Sequence, residues 1–403
     1  MVLYKEPPFL MLSAMADHPS TERFVATKCV SLKYSAPDAI LSLFEEFRLM
    51  CNDAIRIAAE EKPISKFKLI QLAYPILKEY GLHSHYTLSA CEVAFAVCKN
   101  RRTGRVPQVR RIFLKLDNQS YRLDHLLLRI PSRPRNFIFL VLQGSEYHTS
   151  LIDDTSLRRG SVTITPESVN LALSKDVEPI EPIGFVGVDA NEKNATISAT
   201  DGWHKRFEEL GEVAAIKDTY REIRARIGQI ATRDRRIARH LLAKYSRRER
   251  NRTKSRLNKV TSKIVDYSRE HDLGIKMENL KGIRKLYRRG NGQSRSFRGR
   301  MNTWVFGETQ RQIDYKARWD GVPVWYVNPR GTSRNCPDCG SRVVPMVDRE
   351  LYCPKCDKNW DRDDLASKNI MACVVPKARP SMRSCDRVRG GDGSSPLSGG
   401  KEG

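Results

Sequence analysis

Residues 328–370 read NPRGTSRNCPDCGSRVVPMVDRELYCPKCDKNWDRDDLASKNI, and the rest of the chain is understood outward from them. Cys336, Cys339, Cys353 and Cys356 stand here as Cys-x2-Cys-x13-Cys-x2-Cys. Two such turns joined by a short hairpin can bring four thiolates to the corners of a tetrahedron around Zn²⁺, with Zn–S of about 2.3 Å. Pro337 and Pro354 stiffen the turns, and Gly340 lets the first one reverse. A pair of disulfides is the competing reading, but the spacing favours zinc. A site closed by four cysteines is structural and not catalytic.

Beyond the last cysteine, Asp361, Asp363 and Asp364 lead into LASKNI, which reads as the start of a helix. Carboxylates there are ordinarily caps, and Asp361 or Asp364 suits that role. Asp363 has a second reading, as a ligand for Mg²⁺, which requires carboxylate partners elsewhere in the chain.

The 403 residues are enough for two to four domains. The chain carries 71 Lys and Arg against 47 Asp and Glu, a formal net charge of +24. Such an excess points first to nucleic acid and only second to an anionic membrane. There is no apolar run of eighteen residues to span a bilayer. The N-terminus has neither a basic n-region nor an adequate apolar h-region, so an unexported, cytoplasmic protein is expected. Residues 1–20 read as a disordered leader in which Met11 or Met15 could be the true start. Cys29, Cys51, Cys91, Cys98, Cys373 and Cys385 follow no spacing logic, as expected for reduced thiols.

RFVATKCVSLKY, residues 23–34, alternates as a strand does. Helical periodicity follows, with Ile40, Leu43, Phe44, Phe47 and Met50 on one face, and continues to about residue 111. RIFLKLD, YRLDHLLLRIP, NFIFLVLQ and SVTITPESVNLALSKDV then return to strand character. This predicts a β-barrel-like domain interrupted after its first strand by a helical insertion. Its aromatics are expected in the core rather than as stacking platforms.

In IGFVGVDANEKNATISATDG the apolar strand 185–188 delivers Asp189, and residues 191–194 turn into a second strand, 195–199. RNase H-like nucleases present a first metal ligand in this way; an ordinary turn aspartate is the alternative. Residues 204–272 read as helical and very basic. Between positions 221 and 259 there are fifteen Lys and Arg against three acidic residues. Arg235, Arg236, Arg239, Arg247, Arg248, Arg252, Lys254 and Arg256 are candidate phosphate contacts. Ile223, Ile227, Ile230, Ile237, Leu241 and Leu242 predict a buried stripe, and a long basic helical pair is the expected shape. GIKMENL is a strand ending on Glu278, followed by a basic Gly/Ser/Arg-rich loop, a helix over 302–319 and a strand in VPVWYVNP. Asp189, Glu278 and Asp363 thus each sit at the edge of an element. Three carboxylates so placed can converge on two divalent ions, and hard oxygen donors favour Mg²⁺ or Mn²⁺.

GVDANEKNATIS, MENLKGIRK, NTWVFGETQRQIDYKARWDGVPVWYVNPRGTSRNCPDCG, CPKC and DRDDLASKNI, in this order, resemble the TnpB family. These are insertion-sequence OrfB transposase-like proteins, related to the compact type V CRISPR effectors. The resemblance is specific over about residues 184–370 and a matter of layout over 21–183. It implies an α+β multidomain chain. A wedge β-barrel domain (21–35 and 112–183) would carry a helical recognition insertion (36–111). An RNase H-like, RuvC-like α/β nuclease domain (184–328 and 357–373) would hold a zinc-binding module (329–356), with a disordered tail at 374–403. It further implies that Asp189, Glu278 and Asp363 form the metal-binding triad. The implied activity is cleavage of double-stranded DNA with a guide RNA from the end of the protein's own element. The family motif D-x-N-A-A-x-N-I reads DDLASKNI here, with Leu365 for Asn and Ser367 for Ala, and Arg334 stands at a common Gln position. Leu365 is the departure that bears on catalysis. An RNase H-like strand transferase and a catalytically weakened RNA-dependent DNA-binding protein are the alternative functions.

Overall fold

A computed structural model describes residues 23–100 and 104–374, in two compact units that divide at residues 177 and 178. The expected leader, and the expected tail apart from its first residue, lie outside the described residues.

The first unit is built on a seven-stranded antiparallel sheet. Its strands are β1 (Phe24–Tyr34), β2 (Leu114–Leu116), β3 (Arg122–Asp124), β4 (Leu127–Pro131), β5 (Phe137–Gln143), β6 (Arg158–Thr165) and β7 (Ser168–Val177), in the order β2-β6-β7-β1-β5-β4-β3. Three helices follow β1: α1 (Asp38–Glu61), α2 (Lys66–Leu77) and α3 (Ser84–Lys99). The stripe expected on α1 is buried in full, from Ile40 to Met50. Ser65 caps α2 by accepting from the Lys68 N–H. Tyr86 on α3 is buried, packs edge-on against Phe47 and donates to the Pro131 carbonyl at 2.7 Å, which fixes the insertion to the sheet. Between the expected strand segments, residues 146–153 form a helix, α4 (Glu146–Asp153), capped by Ser145. One expectation is corrected here. Not all the aromatics are core, because strand alternation turns Phe137 and Phe139 outward on β5.

The second unit holds a five-stranded mixed sheet of β8 (Gly184–Ala190), β9 (Ala195–Ala199), β10 (His204–Phe207), β11 (Leu273–Glu278) and β12 (Val324–Val327), in the order β10-β9-β8-β11-β12. β8, β11 and β12 run parallel, whereas β9 and β10 return antiparallel. Between β10 and β11 lie α5 (Glu209–Ala231) and α6 (Arg235–Glu270). They are followed by α7 (Arg295–Thr303) and α8 (Phe306–Trp319) before β12. Val186, Val188, Ile275 and Met277 turn to one face of the sheet and join Leu257, Val260 and Ile264 of α6 and Ile313 of α8 in the core. The opposite parity, Gly187, Asp189, Lys276 and Glu278, therefore belongs to the other face. There lies α9 (Arg362–Ala372), preceded by the small sheet β13 (Val344–Pro345), β14 (Glu350–Cys353) and β15 (Lys358–Asp361).

Residues 204–207, expected as helix, form a strand that pairs antiparallel with β9, the second antiparallel pairing of this sheet. The single helix expected over 302–319 is two, broken at Trp304 and Val305, and its first part begins within the expected loop. The basic helical pair is present, but its apolar stripe is shorter than expected. Ile227 is buried, whereas Ile230, Ile237 and Leu242 are exposed. A two-helix hairpin has one seam, and positions off it have nothing to pack against.

Candidate metal centres

Gly187 positions the acidic cluster. A Cβ there would lie 2.3 Å from the Ser367 carbonyl oxygen and 2.4 Å from the Met371 backbone nitrogen, so only glycine admits α9 this close to β8. Asp363, Ser367 and Met371, spaced by four, line the face of α9 turned to the sheet. The other end of the helix is held by buried Lys276, which donates to the carbonyls of Met371 and Cys373, each at 2.7 Å. Ser367 and Ser198 share a buried hydrogen bond of 2.7 Å. Gly187→Ala is therefore expected to destabilise this unit by about 1–3 kcal/mol, as overpacking does. The measurement is the melting temperature of the purified chain, beside Gly202→Ala, where nothing lies within 4 Å but φ is +93°.

Val188 and Met277 are register partners on parallel β8 and β11. The next residues, Asp189 and Glu278, emerge side by side on the α9 face. Asp189 lies within β8 and not one residue beyond it. It is 8% exposed, and burial together with the charges of Glu278 and Asp363 lifts its carboxyl to about 7, against a smaller lowering by Asn191. Burial also raises Glu278, partly offset by the Thr332 hydroxyl, which donates to its Oε1 at 2.6 Å. Asp363 is 1% exposed and forms ion pairs with Arg206 of β10, at 2.6 Å, and with Arg349. The three carboxylates thus interact electrostatically. Among the described residues, though, only the four cysteines have ligand atoms all within 4.8 Å of one another. Asp361, not Asp363, is the helix cap: it accepts from the Asp363 and Asp364 N–H groups.

Several residues here were not singled out from the sequence. Asn191 donates to Asp189 at 2.7 Å and Asn194 to Asp363 at 3.1 Å, so the β8–β9 turn orients one carboxylate with each amide. Their signal was the turn composition, Asn-x-x-Asn directly after an acidic strand end. Arg206, Arg349 and Thr332 carried none, because the contacts span 54 to 157 positions of sequence or depend on a hairpin backbone. Arg349 sits in the β13–β14 turn with φ of 69°.

At the four-cysteine site Cys336 and Cys356 have sulfurs 3.9 Å apart, and Cys339 and Cys353 have theirs 3.5 Å apart. The edge of a Zn–S tetrahedron is about 3.8 Å, so the donor set fits zinc. Hydrogen bonds from Ser341 and from Cys356 lower the Cys339 thiol, while the same contact with Cys339 raises Cys356, so the pair favours one thiolate at a time until a metal is bound. Leu365 is fully buried and packs with Cys336, Val343, Leu351 and Cys353. Its side chain serves the cysteine module and not the acidic face, which changes the significance of its departure from the family motif. Leu365→Ala is expected to cost about 2–4 kcal/mol. The loss would be read as faster release of zinc to a chromophoric chelator.

The eight basic residues singled out from the sequence are all exposed along α6. Arg256 is paired with Glu212 at 2.9 Å. Among the described residues no helix is long and apolar enough to cross a membrane.

Taken together, these features define a strongly basic α+β protein with a four-cysteine centre beside a cluster of carboxylates, two of them buried. The chain belongs to the TnpB family. It is 31% identical over 250 residues to a TnpB-like protein of Methanocaldococcus jannaschii, covering 60% of this chain and 89% of that one. Residues 306–370 match the family described as Cas12f1-like, TNB domain. The CRISPR-associated endodeoxyribonuclease Cas12f2 of a Micrarchaeota archaeon is 30% identical over 30% of this chain and 23% of its own length. The fold is similar to that of Cas12f1 in its complex with sgRNA and target DNA. The TM-score is 0.57 at 14% identity, over 83% of this chain and 82% of that one.

Proposed function

We propose that this protein is an RNA-guided DNA endonuclease whose catalytic residues are Asp189, Glu278 and Asp363. The observation that carries the reading is the adjacency of Asp189 and Glu278 on parallel strands, facing the N-terminal turn of α9 where Asp363 lies. Family membership and the relatives named as endodeoxyribonucleases support it. The five-stranded unit would be the RuvC-like nuclease domain, and the seven-stranded sheet with its three helices the wedge and recognition domains.

Buried Asp189 and Asp363 and half-buried Glu278, gathered at one face of the sheet with Glu278 and Asp363 both raising the proton affinity of Asp189, would be a site for divalent cations, and their oxygen donors suit Mg²⁺ or Mn²⁺. Ions held there supply an activated water and stabilise the leaving oxygen in phosphodiester hydrolysis. The chain's own residues prepare the site. Asn191 and Asn194 orient Asp189 and Asp363, Thr332 orients Glu278, and Arg206 offsets the charge of Asp363. Zinc at the four cysteines is structural. The basic face of α6 would follow a phosphate backbone of the guide RNA or target DNA.

The test begins with RNA co-purified with the protein. Sequencing is expected to return a transcript from the 3′ flank of its own gene, and that complex with Mg²⁺ should cut a matched DNA duplex. Bulk cellular RNA, or joined rather than cleaved DNA ends, would reject the proposal.

A further inference from the structure

The outward face of the seven-stranded sheet is not the polar surface that alternation would require. β4 and β5 bury Leu128, Ile130, Leu140 and Leu142 on one side. The other side carries Leu127 and Arg129 on β4, and Phe137, Phe139 and Val141 on β5, with Phe139 58% and Val141 71% exposed. Register arranges them in rows. Arg122 of β3 lies opposite Arg129, and Arg129 lies opposite Phe139, so one row crosses three strands as Arg-Arg-Phe. Leu127 opposite Val141 forms the next row, with Asp124 beyond Leu127. Lys33 opposite Gln143 adds a cation on β1. The Arg129 guanidinium lies 4.3 Å from the centre of the Phe137 ring and covers it, which leaves Phe139 as the open ring.

Contiguous exposed apolar groups on a sheet mark a binding surface. Guanidinium groups in the same row as the ring, on a chain of net charge +24, select an anionic occupant. An aromatic face flanked by arginines matches the two parts of an unpaired nucleotide, the base stacking on the ring and the phosphates meeting the cations. Duplex DNA keeps its base faces inside the helix, whereas a folded RNA offers unpaired ones. We infer that this face holds unpaired nucleotides of an RNA, with one base stacked on Phe139 and its phosphates at Arg122 and Arg129. The inference rests on RNA being a partner, as proposed above, and names the surface that takes its single-stranded part.

The test uses the full chain and two fluorescent probes at one fixed salt concentration. One is an oligouridine of about 12 nucleotides, the other an RNA duplex of the same length. Phe139→Ala is expected to weaken oligouridine binding about tenfold and to leave duplex binding unchanged. Phe139→Trp, which keeps a ring, should bind oligouridine as tightly as the wild type. Three results overturn the inference: unchanged oligouridine binding in Phe139→Ala, equal losses on both probes, or failure of Phe139→Trp to retain binding. A lower sedimentation coefficient in Phe139→Ala with RNA binding intact would make the face an interface between copies and also overturn it. Failure of the wild-type complex to cut DNA would reject the nuclease reading alone, since the oligouridine comparison needs no cleavage.

Discussion

Asp189→Asn is expected to abolish metal-dependent DNA cleavage and, at the same time, to raise the melting temperature of the metal-free protein at pH 8. The loss of activity follows from removing one of three charged oxygen donors. Several kcal/mol of transition-state stabilisation correspond to about three orders of magnitude in rate. The gain in stability follows from the burial that makes the site useful. The ordinary value of 3.8 for this carboxyl rises to about 7 in the fold, chiefly through desolvation and then through Glu278. The folded chain therefore holds this proton more tightly than the unfolded chain. The stability it contributes is complete below pH 3.8 and is lost as the pH climbs to 7. The difference amounts to roughly 4 kcal/mol, or about 10 °C in a unit of this size. The wild type should thus lose melting temperature between pH 4 and pH 7 more steeply than Asp189→Asn, with Glu278 acting in the same direction. Mg²⁺ should restore the wild type and not the variant. Cleavage by Asp189→Asn with its RNA would refute the site assignment, whereas parallel pH profiles would refute the electrostatics.

Stripping the zinc, or replacing buried Cys353 with serine, should cost more. Structural zinc is worth about 10 kcal/mol or more to a small module, and this one has little else. Its own apolar core is Val343, Leu351 and Leu365 around the sulfurs. We expect residues 329–361 to become sensitive to protease while the five-stranded sheet stays resistant. Cleavage of DNA should fall with it, because the module is tied to the acidic site from three sides. Arg349 reaches Asp363, the Thr332 hydroxyl reaches Glu278, and Asn369 donates to the carbonyls of Thr332 and Asn335 at 2.7 Å each. One equivalent of zinc in the native protein, and a protease pattern unchanged after its removal, would separate a scaffold from a passenger.

The exposed basic face of α6 was legible because charge is a property of composition. Arg235 to Arg256 stand exposed on α6, as the run of like charge implied. The four-cysteine cluster was legible because two Cys-x2-Cys turns are local. Phe44 and Phe47 were legible because helical periodicity is local as well. Phe139 was misjudged for the same kind of reason. Alternation says that one parity of a strand faces out, and not which parity when both carry apolar groups. Leu365 was read against a motif, and its environment came from a packing partner that no motif specifies.

The sequence by itself determined the four-cysteine cluster, most of the order of strands and helices, the basic surface and the identity of three acidic residues near element edges. Tertiary structure decided what those acids are to one another. Asp189 and Glu278 become neighbours because β8 and β11 pair in parallel across the α5–α6 hairpin. Asp363 joins them because Gly187 lets α9 settle against the sheet, and Arg206 and Arg349 arrive from elements that local pattern does not link. Periodicity and spacing report what a residue does to its near neighbours in the chain. The raised proton affinity of Asp189 depends on contacts 89 and 174 positions away, given by the differences 278 − 189 and 363 − 189, and such contacts exist only once the chain has folded.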